Sequence, residues 1–292
     1  LRLDQVNAFA TSRNLTVRQM AIRSLAEFAK GSRPRPDVVA TLQDALKDTD
    51  PKIKLAAVYA LARVQDDGIA RDLAALAKDG DPEVRQNVAL AVGNASAKFA
   101  EADKQLEEMV KDTDMRVRVE AINGLAKRKS TASVPLLAPL VKQPNAEVRR
   151  AVFAALLALR DDSNAAKMRA AFREGMATKD SNVRQICITA LSDKVVVADI
   201  EALRQVTNDP SKAVRAAAVT ALASSKLPEA MEALTSFFED VDFEIRERAL
   251  DGLCGIAPTD ATKTPRDRYL KDFQEIHDMP EALKKKAGTC AK

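Results

Sequence analysis

Apolar residues recur along this chain at helical spacing, in a unit that appears eight times. The clearest copy is the stretch 81–92, Asp-Pro-Glu-Val-Arg-Gln-Asn-Val-Ala-Leu-Ala-Val. When the copies are aligned on its first valine, the period is 31 to 36 residues. The aligned anchors are Val17, Ile53, Val84, Val117, Val148, Val183, Val214 and Ile245. A period of this length is typical of solenoids built from pairs of helices.

Each anchor opens the buried face of a predicted helix. Apolar or small residues follow it at four, five and eight positions, which share one side of an α-helix. Three positions before each anchor stands a residue expected to cap the helix N-terminus. These are Asn14, Asp50, Asp81, Asp114, Asn145, Asp180, Ser211 and Asp242. We therefore expect a thin aliphatic core built from many similar layers.

A basic residue directly follows every anchor and lies beside the apolar stripe. The set is Arg18, Lys54, Arg85, Arg118, Arg149, Arg184, Arg215 and Arg246. Aspartates in the turns offer acceptors within or between repeats, at Asp48, Asp79, Asp112, Asp209 and Asp240. A ligand-binding ladder is the alternative, but we interpret these pairs as structural.

The unit [Asp/Asn]-x-x-Val-Arg-x-x-Ala-x-x-Ala-Leu, preceded by a second helix, resembles the HEAT repeat family in its short bacterial form, the type related to phycobilin lyases. The resemblance covers residues 1–257 and implies an all-α, right-handed α-solenoid of about eight HEAT-type helix pairs without a sheet. The proline-containing segment 33–36 is expected to be a stiff connector. Residues 258–292 lack the signature and predict a linker and a C-terminal helical cap, with Thr264 capping a helix and Pro265 at its first position.

Composition argues against nucleic acid and membrane partners. Lys and Arg number 46 against 42 Asp and Glu, and the two signs are interspersed along the chain. The absence of Trp and the presence of only two Tyr disfavour base stacking. No stretch is long and apolar enough to cross a bilayer.

Candidate catalytic and metal-binding groups are sparse. His277 is the single histidine, and the nine glycines are scattered, so neither a multi-histidine metal site nor a glycine-rich phosphate loop is indicated. Cys187 occupies a small core position and is expected to be inert. We predict no catalytic residue, no metal and no cofactor, although the many carboxylates leave a catalytic pair open.

A partner site is predicted on the exposed face of the inner helices, which lines the concave side of HEAT solenoids. Positions two and six after the anchor lie on this face, and repeats two to four carry apolar residues there. The predicted partner-binding residues are Arg23, Leu55, Tyr59, Leu90, Val119 and Asn123. A contiguous apolar strip on an exposed face usually marks a binding site. Packing between repeats is the alternative.

The strip, the repeats and the mixed charge favour a non-enzymatic scaffold or adaptor that binds a protein or peptide, as a monomer or within a larger assembly. The alternative implied by the resemblance is a lyase-type HEAT subunit similar to the phycobilin lyases. A nucleic-acid binder is a third reading, and the composition disfavours it.

Two cysteines bear on the cellular compartment. Cys254 ends the last inner helix, and Cys290 lies two residues from the C-terminus. If the C-terminal helix folds back to cap the array, the two cysteines could meet. A disulfide between them would favour an exported or periplasmic protein, and the start at Leu1 instead of Met fits a removed leader. Two free thiols in the cytoplasm are the alternative.

Overall fold

The computed structural model describes residues 2–29, 35–96, 98–161 and 163–290. Within these residues the regular structure is helical and contains no β-strand. Internal contacts divide the chain into two compact units, Leu1–Arg160 and Asp161–Lys292. Arg33 and Pro34, in the predicted stiff connector, lie outside the described residues.

The described residues of the first unit form five helix pairs, each made of an outer and an inner helix. The outer helices are α1 (Leu3–Phe9), α3 (Pro36–Ala45), α5 (Asp67–Ala74), α7 (Ala102–Met109) and α9 (Val134–Leu137). The inner helices are α2 (Leu15–Ala29), α4 (Pro51–Leu61), α6 (Pro82–Asn94), α8 (Met115–Lys127) and α10 (Ala146–Ala158). The helix α9 is short and continues into a 3-10 segment, Ala138–Lys142. Pro135 and Pro139 lack the amide hydrogen that a longer α-helix would need.

In the second unit, the part of the chain that the structure describes forms three more pairs and two terminal helices. The pairs are α11 (Ala165–Gly175) with α12 (Ser181–Ser192), α13 (Val197–Arg204) with α14 (Lys212–Ser225), and α15 (Ala230–Thr235) with α16 (Phe243–Cys254). The terminal helices are α17 (Lys263–Glu275) and α18 (Glu281–Cys290). The helical pairs thus follow the eightfold pattern of the sequence.

Six of the predicted N-caps accept a hydrogen bond from a first-turn amide. They are Asn14, Asp50, Asp81, Asp114, Asn145 and Asp180. Ser211 and Asp242 also occupy the predicted N-cap positions, but their side chains make no capping hydrogen bond within the described residues. Asp242 instead accepts from Arg215 at 2.9 Å and from Lys212 at 2.7 Å, because two cations from the preceding repeat compete with the amides.

The cation after each anchor binds the turn carboxylate of the following repeat in most copies, which confirms the structural interpretation. Arg85 forms two hydrogen bonds with Asp112, at 2.7 and 2.8 Å. Equivalent ion pairs join Arg18 to Asp48, Lys54 to Asp79, Arg184 to Asp209 and Arg215 to Asp240. We call this series the ion-pair ladder.

Within the described parts of the chain, Arg118 has no carboxylate partner in the ladder. Gln143 occupies the turn position that Asp112 holds one repeat earlier. The Arg118 guanidinium donates instead to the backbone carbonyls of Asp112 and Thr113, at 2.8 and 3.0 Å. Adjacent repeats therefore offer a natural comparison between a paired and an unpaired cation.

Small residues set the spacing of the inner helices. Gly93 on α6 faces Gly124 on α8, and a Cβ atom built on Gly93 would lie 2.7 Å from the Gly124 Cα. No side chain larger than hydrogen fits this contact without moving one helix. Leu125, beside it on α8, is completely buried.

The helices α17 and α18 pack on α16, as expected for a cap. Phe273 is fully buried, and its ring meets that of Phe238 edge to face at 4.7 Å between centroids. Asp278 binds both terminal nitrogens of Arg246, at 3.0 and 3.1 Å, and so supplies the last carboxylate of the ladder. The N-cap of α17 is Thr262, so the prediction of Thr264 is wrong by two residues.

Candidate functional site

A groove with a volume of about 660 Å³ crosses α2, α4 and α6 of the first unit. Its lining residues are Gln19, Arg23, Lys52, Leu55, Ala56, Tyr59, Glu83 and Asn87. The helix α4 supplies the apolar floor, because Leu55 and Tyr59 lie one turn apart on its outward side. The neighbouring helices supply polar walls. We call this feature the α2–α4–α6 groove.

Tyr59 is the most exposed apolar element of the groove, with 47% of its surface accessible. The Arg63 guanidinium lies over its ring, 3.4 Å from the ring centroid. Arg63 also donates to the Tyr59 carbonyl at 2.5 Å and to the Asn87 side-chain oxygen at 3.4 Å. One ring face is therefore held in place by a cation while the residue remains open to solvent.

The groove carries an excess of positive charge. The side chains of Arg23 and Lys52 form no hydrogen bond or ion pair with any described residue. Glu83 is the lining carboxylate, and Arg116 lies 3.7 Å from it. Two cations are thus available to a ligand, whereas the acidic group already has a partner.

Glu120 on α8 is a half-buried carboxylate near this groove. Burial raises its pKa above the ordinary value, and the positive charges of Arg63 and Lys127 oppose that effect. Its carboxylate has no hydrogen bond or ion pair within residues 2–29, 35–96, 98–161 and 163–290. Glu120 therefore moderates the charge of Arg63 without neutralising it by direct contact.

The structure brings together three of the six predicted partner-binding residues. Arg23, Leu55 and Tyr59 line the groove. Leu90 and Val119 are half-buried and do not line it, and the exposed Asn123 also lies outside the lining set. Of the apolar strip predicted across repeats two to four, only the part on repeat two lines the groove.

Sequence reasoning missed several polar residues at the groove. Lys52 and Glu83 stand one position before their anchors, Asn87 three positions after, and Arg63 ten positions after. These offsets continue the stripe of positions two and six along the same helical face. Extending the predicted stripe by one turn at each end would have found Lys52, Glu83 and Arg63, and widening it by one position would have found Asn87.

Other chemistry is limited within the part of the chain that the structure describes. It contains no group of three or more His, Cys, Asp and Glu residues placed to hold a metal ion. None of its helices has the length and apolarity needed to span a membrane. Cys187 is buried, and burial raises the pKa of its thiol, which suppresses the reactive thiolate.

The family follows from a match to a family model described as HEAT repeats. The model matches overlapping segments that together cover most of the sequence, at residues 4–92, 39–117, 69–158, 102–192, 170–254 and 200–272. The chain belongs to the HEAT repeat family. Together with the helical pairs, this match confirms the predicted family and the all-α solenoid fold.

One sequence relative of this HEAT repeat protein is the bilin biosynthesis protein MpeU of Synechococcus sp. strain WH8020. The two are 31% identical over 141 residues. The aligned region covers 47% of this chain and 46% of MpeU, so the match spans about half the length of that relative.

Solved structures of similar fold include an engineered protein, with a TM-score of 0.65 and 21% identity, over 99% of this chain and 87% of the other. YibA of Escherichia coli has a TM-score of 0.62 at 20% identity, over 86% and 92% of the two chains. The complex of CpcE and CpcF of phycocyanin lyase from Nostoc sp. PCC7120 has a TM-score of 0.50 at 18% identity, over 81% and 94%. At these identities the similarity establishes the fold alone.

Proposed function

We propose that this HEAT repeat protein binds a polypeptide partner in the α2–α4–α6 groove, as a scaffold or adaptor without catalytic activity. The observation that carries the proposal is the exposed Tyr59 on an apolar floor that it shares with Leu55 and Ala56. An exposed aromatic residue surrounded by polar side chains has the composition of a binding hot spot.

The ion-pair ladder supports binding by a preformed surface. Arg18 of α2 is tied to Asp48 in the turn before α4, and Lys54 of α4 is tied to Asp79 in the turn before α6. These pairs hold the three groove helices at fixed spacing. Because the site is already ordered, binding does not have to include the free-energy cost of ordering these helices, and that cost would weaken association.

Photo-crosslinking tests this proposal directly. Tyr59 is replaced by p-benzoylphenylalanine, which keeps an aromatic ring at the site, and the protein is irradiated in its native cells. Tyr269 is the matched control, because it is the other tyrosine and also carries an arginine over its ring, at 4.9 Å. We expect a polypeptide adduct from position 59 that excess unmodified protein competes away, and none from position 269. Absence of an adduct at position 59 would refute the proposal.

The second candidate is a lyase-type HEAT subunit. The similarity to the bilin biosynthesis protein MpeU supports this candidate better than it supports a scaffold. A bilin is a linear tetrapyrrole with an extended apolar body and carboxylate groups. The apolar floor and the two unpaired cations, Arg23 and Lys52, have matching chemistry.

Co-expression with a bilin-producing pathway separates the two candidates. For a lyase-type subunit, the purified protein should carry bilin absorbance, and the charge reversals Arg23→Glu and Lys52→Glu should reduce it. For a scaffold, the visible spectrum should match that of protein made without the pigment. Bilin binding without an adduct at position 59 would establish the second candidate in place of the first.

Export to an oxidising compartment is a further part of the proposal. This part rests on the contact between Cys254 of α16 and Cys290 of α18, which are joined as a disulfide with 5.6 Å between their Cα atoms. Disulfides that tie down a terminal helix persist in the periplasm and outside the cell, whereas cytosolic reductants remove them.

A further inference from the structure

The charge of the groove indicates whether an acidic or a basic segment of a partner can bind there. Among the residues that the structure describes, Arg23 and Lys52 have no ion-pair partner, Arg63 contacts Tyr59 and Asn87 without an ion pair, and Glu83 already faces Arg116. A basic segment would meet two uncompensated cations, whereas an acidic segment would gain two partners. Charge complementarity of this kind selects among partners more than it adds affinity.

The repeat geometry fixes the spacing of the two free cations. The helices α2 and α4 are neighbouring inner helices, with Val17 and Ile53 at equivalent positions. Arg23 follows its anchor by six residues and Lys52 precedes its own by one. Seven residues of α-helix correspond to about 10 Å along the axis. Leu55 lies between these two levels.

We propose that the groove recognises an extended segment of the partner in which acidic residues flank a bulky apolar side chain. This inference rests on the polypeptide binding proposed above. The axes of packed neighbouring helices lie about 8–10 Å apart, so the axial offset of about 10 Å places the Cα atoms of Arg23 and Lys52 about 14 Å apart. An extended chain advances about 3.3 Å per residue, so this separation fits acidic residues about four positions apart. The apolar side chain between them lies on Leu55 and Tyr59, and the carboxylates reach Arg23 and Lys52.

A phage-displayed library of random dodecapeptides tests this specificity on the full chain. We expect selection to enrich peptides with an aromatic or aliphatic residue between Asp or Glu residues. The dissociation constant of a fluorescein-labelled enriched peptide is then measured by anisotropy. The double variant Arg23→Glu, Lys52→Glu should bind it about ten-fold or more weakly, because each reversal replaces an attraction with a repulsion. A second selection on this variant should favour basic peptides.

The control variant is Lys104→Glu, Lys111→Glu, which makes the same change of charge away from the groove. Lys104 lies on the outer helix α7 and Lys111 follows it, and both are exposed. The dissociation constant of the control variant for the acidic peptide should stay within about two-fold of that of the unmodified protein. A change of about two-fold is the effect of one weak, exposed charge contact. Circular dichroism checks that both variants remain folded. Equal losses in the two double variants would show a general charge effect and would overturn the inference.

The outcomes also separate this inference from the proposed function. If selection enriches neutral peptides whose binding is lost in Tyr59→Ala, the groove binds polypeptides and the acidic specificity is wrong. If acidic peptides are enriched but the double reversal leaves their affinity unchanged, Arg23 and Lys52 do not recognise them. If no peptide is enriched and position 59 gives no crosslink, both the inference and the proposed function fail.

Discussion

The ion-pair ladder predicts unequal costs for the same substitution in neighbouring repeats. Arg85 and Arg118 each directly follow an anchor on adjacent inner helices of one unit. Both guanidinium groups donate to two backbone carbonyls of the preceding turn, and Arg85 alone of the two also pairs with a carboxylate, that of Asp112. Replacing either arginine with Met keeps a long side chain at the site and removes the guanidinium.

The expected loss in the free energy of unfolding depends on how buried each arginine is and on which polar groups its replacement leaves without a partner. The side chains of Arg85 and Asp112 are 13% and 11% exposed. Removing one partner of a fully buried pair costs about 3–5 kcal/mol, and this pair is partly buried. Asp112 keeps a hydrogen bond from the Asp114 amide, at 2.8 Å, so we expect the lower end of that range, about 3 kcal/mol.

The cost of Arg118→Met should be smaller. It loses two hydrogen bonds to carbonyls, one of them exposed, and leaves no buried carboxylate without a cation. It also removes a buried Nε that has no hydrogen-bond partner among the described residues. A net loss of about 1 kcal/mol is expected, the usual scale for an intramolecular hydrogen bond.

Urea unfolding followed by circular dichroism at ~222 nm measures both changes, since that signal reports the α-helical content. With a slope of about 1–3 kcal/mol per molar urea, the midpoint should fall by about 1–3 M for Arg85→Met and by a third of that for Arg118→Met. If the two units unfold separately, amide hydrogen exchange should still show the loss of stability as faster exchange of the amides of α6 and α8. Equal midpoint shifts in the two variants would refute the ladder as a source of stability.

The pH dependence supplies an independent check of the same pair. The hydrogen bond from Arg85 lowers the pKa of Asp112. A depressed folded-state pKa stabilises the protein above the unfolded pKa, near 4, and this contribution is lost as the pH falls through the folded-state pKa. The penalty of Arg85→Met should therefore be full at neutral pH and shrink in acid. A penalty that stays constant from neutral pH to pH ~2 would show that the charge on Asp112 is not involved.

Three further predictions address packing, charge burial and covalent state. Gly93→Ala should lower the free energy of unfolding by about 1–3 kcal/mol through overpacking, whereas Gly80→Ala, with open space around its Cβ, should leave it nearly unchanged in urea titrations. Glu120→Gln should raise stability at pH 7, because burial raises the folded-state pKa and ionisation is then unfavourable; the gain should disappear once the pH falls below the unfolded pKa. Thiol titration of the denatured, non-reduced protein should find one cysteine, Cys187, and a count of three would refute both the disulfide and export.

Much of the fold could be predicted because the repeat is a local pattern. The period of the anchors places the inner helices, and the caps and prolines before them mark where those helices begin. Each signal acts within one helical turn, so it needs no knowledge of distant residues. The fifth outer helix, α9, is the exception, because Pro135 and Pro139 break this part of the chain into a short α-helix and the 3-10 segment Ala138–Lys142.

The candidate site was predicted only in part, since a groove depends on neighbouring helices together. The offsets identified Leu55 and Tyr59 as outward-facing residues of one helix. They did not show that Lys52, Glu83 and Asn87 would share a groove with them, because that depends on how adjacent helices are placed side by side. Leu90 faces outward by its offset and is nevertheless half-buried between its neighbours.

The sequence by itself determined the helical periodicity, the aliphatic core and the family, since these rest on spacings within a few residues. The tertiary structure decided which charges meet. Asp242 binds Arg215 in place of a helix amide, and Asp278 reaches Arg246 from the cap. A long cationic side chain can reach several acceptors, and the burial and distance of those acceptors in the folded state determine which one it binds. The same selection left Arg23 and Lys52 unpaired, which makes the groove a candidate binding site.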